Sequence, residues 1–129
     1  MPAVGVSVRV SGPFFGGAAP DVIRDALSKS IGDVVALGET SVKLQLYPGH
    51  GFISGYYRRS IHGEMQNSMF GRIHDSNVIY GPWLEGVGSR NQTTRFKGYH
   101  MFRQAKGELE RKVPGIINHR VAQAVGRLN

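Results

Sequence analysis

The feature that most constrains the fold is a run of apolar residues at helical spacing in the first half of the chain. Apolar residues that recur three or four positions apart lie on one face of an α-helix and are typical of an amphipathic helix. Asp21 complements the helix dipole in the first turn, and Pro48 prevents continuation beyond the last. Gly32 and other weak helix formers leave an early end or a kink open in the second half. We predict a helix over residues 20–46, with a buried face formed by Ile23, Leu27, Ile31, Val34, Val35, Gly38, Val42 and Leu46.

Two other segments alternate with a period of two, which is typical of strands with one buried face. The first predicts an N-terminal strand over residues 1–12. The second predicts a hairpin over residues 58–75 with a tight turn at residues 66–68. Within this hairpin His62 and His74 are expected to meet as a pair on the surface of the strands. The inward-facing residues of the N-terminal strand are Val4, Val6, Val8 and Val10.

The second half of the chain has a long connection and then another helix. Residues 77–98 are predicted to form a loop-dominated excursion, with one helical turn around residues 82–85. Long connections of this kind are usually functional or mobile. Residues 99–128 have helical periodicity but contain Pro114, so we expect either a kinked helix or two consecutive helices.

These elements together predict a single α+β domain spanning residues 1–129, a size typical of one domain. A small antiparallel sheet, made of the N-terminal strand and the hairpin, is expected to pack against two amphipathic helices. This arrangement buries the apolar stripe of each helix on one face of the sheet.

Composition restricts the classes of function. The chain contains no cysteine, which excludes disulfides, thiolate catalysis and cysteine-based metal sites. No apolar run approaches the roughly 20 residues that span a membrane, and no signal-peptide pattern is found at the N-terminus. The formal net charge of +7 favours acidic partners such as nucleic acid. Because the basic residues are scattered, an ordinary basic surface explains the charge equally well.

No arrangement of side chains in the sequence predicts catalysis or metal binding. The five histidines are not at the spacings that metal sites use. The nine acidic residues are not placed as an acid–base pair, and no nucleophile motif or phosphate-binding loop is found. We therefore expect a protein without enzymatic activity, metal or cofactor.

Aromatic and basic residues interleave at residues 56–59 and again at residues 95–100, a pattern typical of surfaces that stack on nucleic-acid bases. A basic nucleic-acid-binding domain is thus an alternative function, and it would use Tyr56, Tyr57, Arg95, Phe96 and Tyr99. The competing explanation is that Phe96, Tyr99 and Phe102 are core residues at the start of the last helix.

The stretch from Tyr80 to Gly88 contains the only tryptophan, Trp83, followed by Leu84 and Glu85. Tryptophan, tyrosine and arginine are enriched at interface hot spots, so this loop could be a surface for assembly. It could equally be a loop anchored on the sheet by its aromatic residue, with Glu85 accepting backbone hydrogen bonds.

Residues 20–128 resemble the small tail-completion or minor tail-component family of long-tailed bacteriophages. The order of elements is similar, and so are short motifs within it. The matching residues are Gly55, Arg59, Ser60 and Ile61, then Tyr80, Trp83, Leu84, Glu85 and Gly86, and finally Phe102, Arg103 and Ala105.

The resemblance implies a structural virion protein of the head–tail junction, assembled in the host cytoplasm. Copies would form a ring, commonly a hexamer, that joins neighbouring connector and tail proteins around the DNA passage. A ring needs two different patches on each subunit. We expect subunit contacts at Trp83, Leu84, Glu85, Arg58 and Arg59, and contacts with genomic DNA at Arg90, Arg95 and Lys97.

Overall fold

The computed structural model describes residues 2–7, 18–46 and 55–128. Three strands form one antiparallel sheet in the order β1-β3-β2, so the N-terminal strand pairs with the second strand of the hairpin. Two long helices and three short ones complete the described chain, which confirms the α+β class. The elements are β1 (Ala3–Ser7), α1 (Ala18–Leu44), α2 (Tyr56–Arg59), β2 (His62–Asn67), β3 (Phe70–His74), α3 (Gly81–Glu85), α4 (Arg90–Thr93) and α5 (Met101–Leu128).

Helix α1 is the centre of the fold, since it contacts both the sheet and α5. Every position predicted for its apolar face is buried, from Ile23 to Leu46, which lies just beyond the last turn. The helix runs without a break to Leu44, so the early end that its glycines suggested is wrong. Packing on two sides stabilises this segment more than the low helix propensity of Gly32 and Gly38 destabilises it.

Glycines allow α1 to lie very close to the sheet. A methyl group on Gly38 would lie 2.7 Å from Cδ1 of Ile73 in β3 and 3.0 Å from Cδ1 of Leu109 in α5. On the sheet side, a methyl group on Gly63 would lie 2.6 Å from Cγ1 of Val35, and one on Gly71 would meet the same valine. The missing side chains therefore set the distance between helix and sheet.

The strands confirm the predicted alternation where they are described. In β1, Val4 is buried and Val6 half-buried, while Ala3, Gly5 and Ser7 are exposed. Residues 8–12, with the predicted inward Val8 and Val10, lie outside the described residues.

The predicted hairpin is found, but it is shorter than residues 58–75. Residues 58 and 59 belong to α2, whose Tyr57 is buried, and the strand begins only at His62. The turn lies at residues 68–69, slightly later than predicted. The Oδ1 atom of Asn67 accepts a hydrogen bond from the Met69 amide at 2.9 Å, an Asx turn.

Helix α5 is one continuous helix from Met101 to Leu128, so the alternative of two consecutive helices is wrong. Pro114 has no N–H to donate within the helix, yet contacts with α1 extend on both sides of it. Near the far end, Nε and Nη2 of Arg120 donate to the two carboxylate oxygens of Asp33 at 2.7 and 3.0 Å. A small apolar cluster continues the packing there, formed by Ile23, Ala26, Leu27 and Ala124.

Candidate interaction surface

The segment between β3 and α5 is more ordered than the predicted excursion over residues 77–98. It contains α3, at the place where one helical turn was expected, and a second short helix, α4, that the sequence did not predict. Pro82 lies near the start of α3, where its missing N–H has no intrahelical partner to lose. Gly86 ends α3 in the left-handed conformation with φ 99°.

Glu85 joins α3 to the start of α5. Its Oε1 atom accepts a hydrogen bond from the amide of Phe102 at 2.7 Å, and its Oε2 atom accepts one from the amide of Arg103 at 3.1 Å. These are among the amides at a helix start that have no partner within the helix. The first turn of α5 contains no acidic residue of its own, so Glu85 supplies the negative charge that complements the helix dipole.

Glu85 is enclosed by the folded loop and is only 5% exposed. Burial raises the pKa of its carboxyl group, and the two amide hydrogen bonds partly offset that rise. The nearby positive charges of His100 and Arg103 act in the same direction as the hydrogen bonds. Glu85 therefore acts as a cap, at a desolvation cost.

Two glycines permit the chain to cross itself beside this cap. Gly86 and Gly98 both have positive φ, and a methyl group on either would meet the backbone of the opposite segment. The Tyr99 amide donates to the carbonyl of Leu84 at 2.7 Å across the same crossing. The approach of the two segments therefore requires glycine at both positions.

The ring of Trp83 packs against the connection that leads into α5. Its centroid lies 4.9 Å from that of Phe96, which in turn lies 5.0 Å from Tyr99. The buried Asn91 side chain holds the same turn, since its Nδ2 donates to the carbonyls of Trp83 and Phe96 at 3.0 and 3.2 Å. Nothing in the sequence distinguished Asn91, because its partners become neighbours only after the loop has folded.

These contacts correct two of the expected subunit contacts. Leu84 is 5% exposed and belongs to the main core, and Glu85 is equally buried. Neither side chain lies on the surface of the described chain, so both serve the fold instead of a contact with a neighbour. Trp83 is half-buried, and the alternative of an anchored loop describes it better.

A buried Tyr57–Asp75 pair fixes the base of the same region. The hydroxyl of Tyr57 donates to Oδ2 of Asp75 at 2.9 Å, and the Asn77 amide donates to Oδ1 at 3.0 Å. Burial, followed by the charge of Asp75, raises the pKa of Tyr57. The Cα of Gly81 lies against this carboxylate so closely that a methyl group could not fit. A polar residue directly after a strand was the only sequence signal for Asp75.

Above this pair lies an exposed apolar surface, the aromatic patch, formed by Tyr56, Ile79 and Tyr80. Ile79 is 96% exposed, and Tyr56 and Tyr80 are 56% and 41% exposed. The Tyr80 ring lies 5.9 Å from the ring of the buried Tyr57, which fixes the patch on the core.

The expected contact residues Arg58 and Arg59 are exposed and lie two and three positions after Tyr56 in α2. Residues three apart in a helix lie on the same side and residues two apart do not. Arg59 is therefore the expected contact residue on the side of Tyr56, next to the aromatic patch.

Tyr80 belongs to the stretch that the sequence suggested as a surface for assembly, whereas the exposure of Ile79 was not predicted. Ile79 lies in a turn between Val78 and Tyr80, where no helix or strand repeat applies, so its exposure was not predictable from pattern.

The three expected DNA contacts, Arg90, Arg95 and Lys97, are exposed. The ammonium group of Lys97 donates to the carbonyl of Asn91 at 2.7 Å and so caps α4. Arg90 is the first residue of α4, and Arg95 lies between α4 and Lys97. All three cations therefore belong to one short stretch, residues 90–97. This stretch presents positive charge to solvent.

The five residues of the nucleic-acid alternative do not form one exposed stacking surface. Tyr57 is buried and bonded to Asp75. Phe96 is half-buried between Trp83 and Tyr99. Of the aromatics that the core explanation named, Phe102 is buried in the core and Tyr99 packs against it. Of these five residues, only Tyr56 and Arg95 are exposed.

His62 and His74 meet across the hairpin as predicted, with ring centroids 6.4 Å apart. Nδ1 of His74 accepts from the Ser76 amide at 2.9 Å, and Nε2 lies 3.2 Å from Oε1 of Glu64. In the described part of the chain, no group of three or more histidine, aspartate or glutamate side chains is placed to hold a metal ion.

No helix among the described residues is both long enough and apolar enough to cross a membrane. We found no family model, curated protein or solved structure to which the chain is significantly similar.

Proposed function

We propose that this protein is a structural subunit of the head–tail junction of a long-tailed bacteriophage. It would assemble into a ring, commonly a hexamer, between connector and tail proteins and around the passage for genomic DNA. The proposal combines the resemblance of residues 20–128 to the tail-completion family with the surface of the folded subunit.

The observation that carries the proposal is the exposed aromatic patch beside Arg59, with Arg58 also exposed on the same short helix. Single exposed apolar residues are common on soluble proteins, but adjoining ones next to arginines mark contact surfaces. Ile79 is almost fully exposed at 96%, and burying such a side chain contributes about 1.5–3 kcal/mol. A patch held by the buried Tyr57–Asp75 pair loses little conformational entropy on binding.

Internal roles for Leu84 and Glu85 are compatible with the resemblance. In this proposal the motif from Tyr80 to Gly86, which the chain has in common with the family, serves to fold the loop and to cap the start of the last helix. Contacts with a neighbour shift to the adjoining patch, and the exposed turn with Arg90, Arg95 and Lys97 is the surface proposed to face DNA.

The test is electron microscopy of particles assembled with the full-length protein and of particles assembled with an Ile79→Asp variant. Ile79→Asp should leave circular dichroism and thermal unfolding unchanged, because the side chain is outside the core, but should prevent incorporation. Leu44→Asp is the matched control: Leu44 is 65% exposed in the last turn of α1 and is not one of the patch residues, so its variant should incorporate normally.

Ring density for the wild-type protein at the neck, lost in Ile79→Asp and kept in Leu44→Asp, is the expected result. If the protein is absent from particles while the purified monomer binds DNA in a salt-sensitive way, the nucleic-acid alternative replaces this proposal.

A further inference from the structure

A groove runs between the outer edge of β1 and helix α5, apart from the aromatic patch. It consists of two adjoining depressions of about 350 and 280 Å³. The first contacts Pro2 and the first two residues of β1, and the second contacts residues 4–7. Consecutive residues of a strand can line a groove together only along the strand's edge, because their side chains alternate between faces.

The edge of β1 that faces the groove is unpaired within the described chain. β1 pairs with β3 on one side, and no backbone hydrogen bond joins its other side to a described residue. An edge strand presents alternate N–H and C=O groups outward, and these groups are a template for another strand.

The opposite wall is one face of α5. Phe102, Lys106, Leu109 and Val113 recur at intervals of three or four, so they lie along one side of the helix. Phe102 and Leu109 are buried, and together with Val4 they give the groove an apolar floor.

The two walls have the same length. Five strand residues span about 17 Å, and the eleven steps from Phe102 to Val113 span about 16 Å. The groove therefore matches an extended segment of about five residues that pairs with β1 and directs alternate side chains onto the apolar floor.

The exposed charges at the end of the groove nearest the start of α5 are basic. Arg103 and Lys106 are exposed, and neither forms an ion pair with a carboxylate of the described residues. Two carboxylates also line the groove. Glu85 is buried and both its oxygens already accept from the amides of Phe102 and Arg103, and Glu110 lies farther along, beside the second depression. An acidic group on the ligand is thus favoured at the end of the groove nearest Arg103.

We propose that this groove binds an extended acidic segment of a partner protein by strand addition to β1. Backbone hydrogen bonds to the edge provide affinity, alternate apolar side chains on the floor provide register, and a carboxylate against Arg103 and Lys106 provides orientation. The groove is separate from the aromatic patch, so the binding can be tested on the free protein whether or not the protein assembles into rings.

The experiment uses the full-length protein and a fluorescein-labelled peptide of seven residues that alternates threonine and valine, with glutamate at each end. Fluorescence anisotropy measures its affinity, and amide exchange by nuclear magnetic resonance locates the site. We expect binding that slows exchange at alternate amides of residues 3–7. A peptide with a central proline should lose binding because it cannot donate to the edge. A peptide with lysine ends should bind more weakly than the acidic one.

Lys106→Glu should weaken binding of the acidic peptide about five- to tenfold, since an attraction becomes a repulsion. Arg111→Glu is the matched control, because it makes the same change of charge on another face of α5 and should alter the affinity less than about twofold.

Three results would overturn the proposal: no binding of the acidic peptide, equal effects of the two charge variants, or protection outside β1. It would also be overturned if the groove is occupied in the free protein. Dimerisation through β1 in sedimentation, or Overhauser contacts between residues 8–17 and Val113, would reveal such an occupant.

Discussion

Replacing Glu85 by alanine tests the central feature of the loop, its cap on α5. The substitution removes both acceptors from the amides of Phe102 and Arg103, which lie 2.7 and 3.1 Å from the carboxylate. The methyl group of alanine cannot reach these amides. The start of α5 would thus lose its only carboxylate acceptor within the described chain.

The magnitude follows from two opposing effects. Leaving a buried donor unsatisfied costs about 1–3 kcal/mol, and loss of a helix cap typically costs about 1 kcal/mol. Removing a buried carboxylate also relieves the desolvation that raises its pKa, which offsets part of that loss. We expect the free energy of unfolding to fall by about 2–3 kcal/mol. Glu85→Gln retains one acceptor and should lose about half as much.

The measurement is urea unfolding followed by circular dichroism. A slope of about 1–3 kcal/mol/M is typical, so the midpoint should fall by roughly 1–2 M without a change in slope. Glu110→Ala is the control, because Glu110 is an exposed glutamate of the same helix and its loss should change stability by less than about 0.5 kcal/mol. If Glu85→Ala is no more destabilising than Glu110→Ala, the cap contributes nothing and the reasoning is refuted.

The pH dependence provides a second measurement on the same residue. The folded chain binds the proton of Glu85 more tightly than the unfolded chain, because burial raises the pKa above its ordinary value near 4.5. The contribution of this group to stability is therefore largest below that value and declines as the pH rises through the folded-state pKa. Glu85→Gln should lack this decline, and parallel pH profiles for both proteins would contradict the assignment.

Three further predictions concern other contacts. Trp83→Ala should destabilise the monomer by about 2–3 kcal/mol in urea unfolding, since the ring packs on the last connection; an unchanged monomer would return Trp83 to the role of a subunit contact. Gly71→Ala should lower the free energy of unfolding by about 1–3 kcal/mol, because it forces a methyl group against α1. Gly32→Ala has open space around it and should raise the free energy of unfolding by about 0.5–1 kcal/mol. Equal thermal stability of the two variants would contradict the close approach of helix and sheet. The hydrogen bond from Arg120 lowers the pKa of the Asp33 carboxyl group below its ordinary value of 3.8. The contribution of Asp33 to stability is therefore present above that value and is lost as the pH falls through the folded-state pKa. Asp33→Asn should remove this loss, and an acid-unfolding curve that is unchanged would refute it.

Periodicity was enough to determine the main elements. The apolar face of α1, the inward valines of β1 that are described and the pairing of His62 with His74 all follow from spacings within single elements or across one short turn. Such patterns depend on the geometry of helices and strands, which is the same in every protein. The α+β class follows because these faces must be buried against each other.

The surface and its supports depended on the tertiary structure. Glu85 meets the amides of residues that are 17 and 18 positions away, and Tyr57 meets Asp75 across 18 positions. No local spacing predicts such partners, because they become neighbours only when α3 docks beside the start of α5 and α2 docks beside the end of β3.

The sequence by itself thus determined which residues form the faces of the long helices and the sheet. Only the tertiary structure decided that Leu84 and Glu85 are internal, that Ile79 is exposed, and that, among the described residues, nothing pairs with one edge of β1 beside α5. The physical reason is that burial within an element follows its repeat, whereas caps, patches and grooves arise where elements from distant parts of the chain come together.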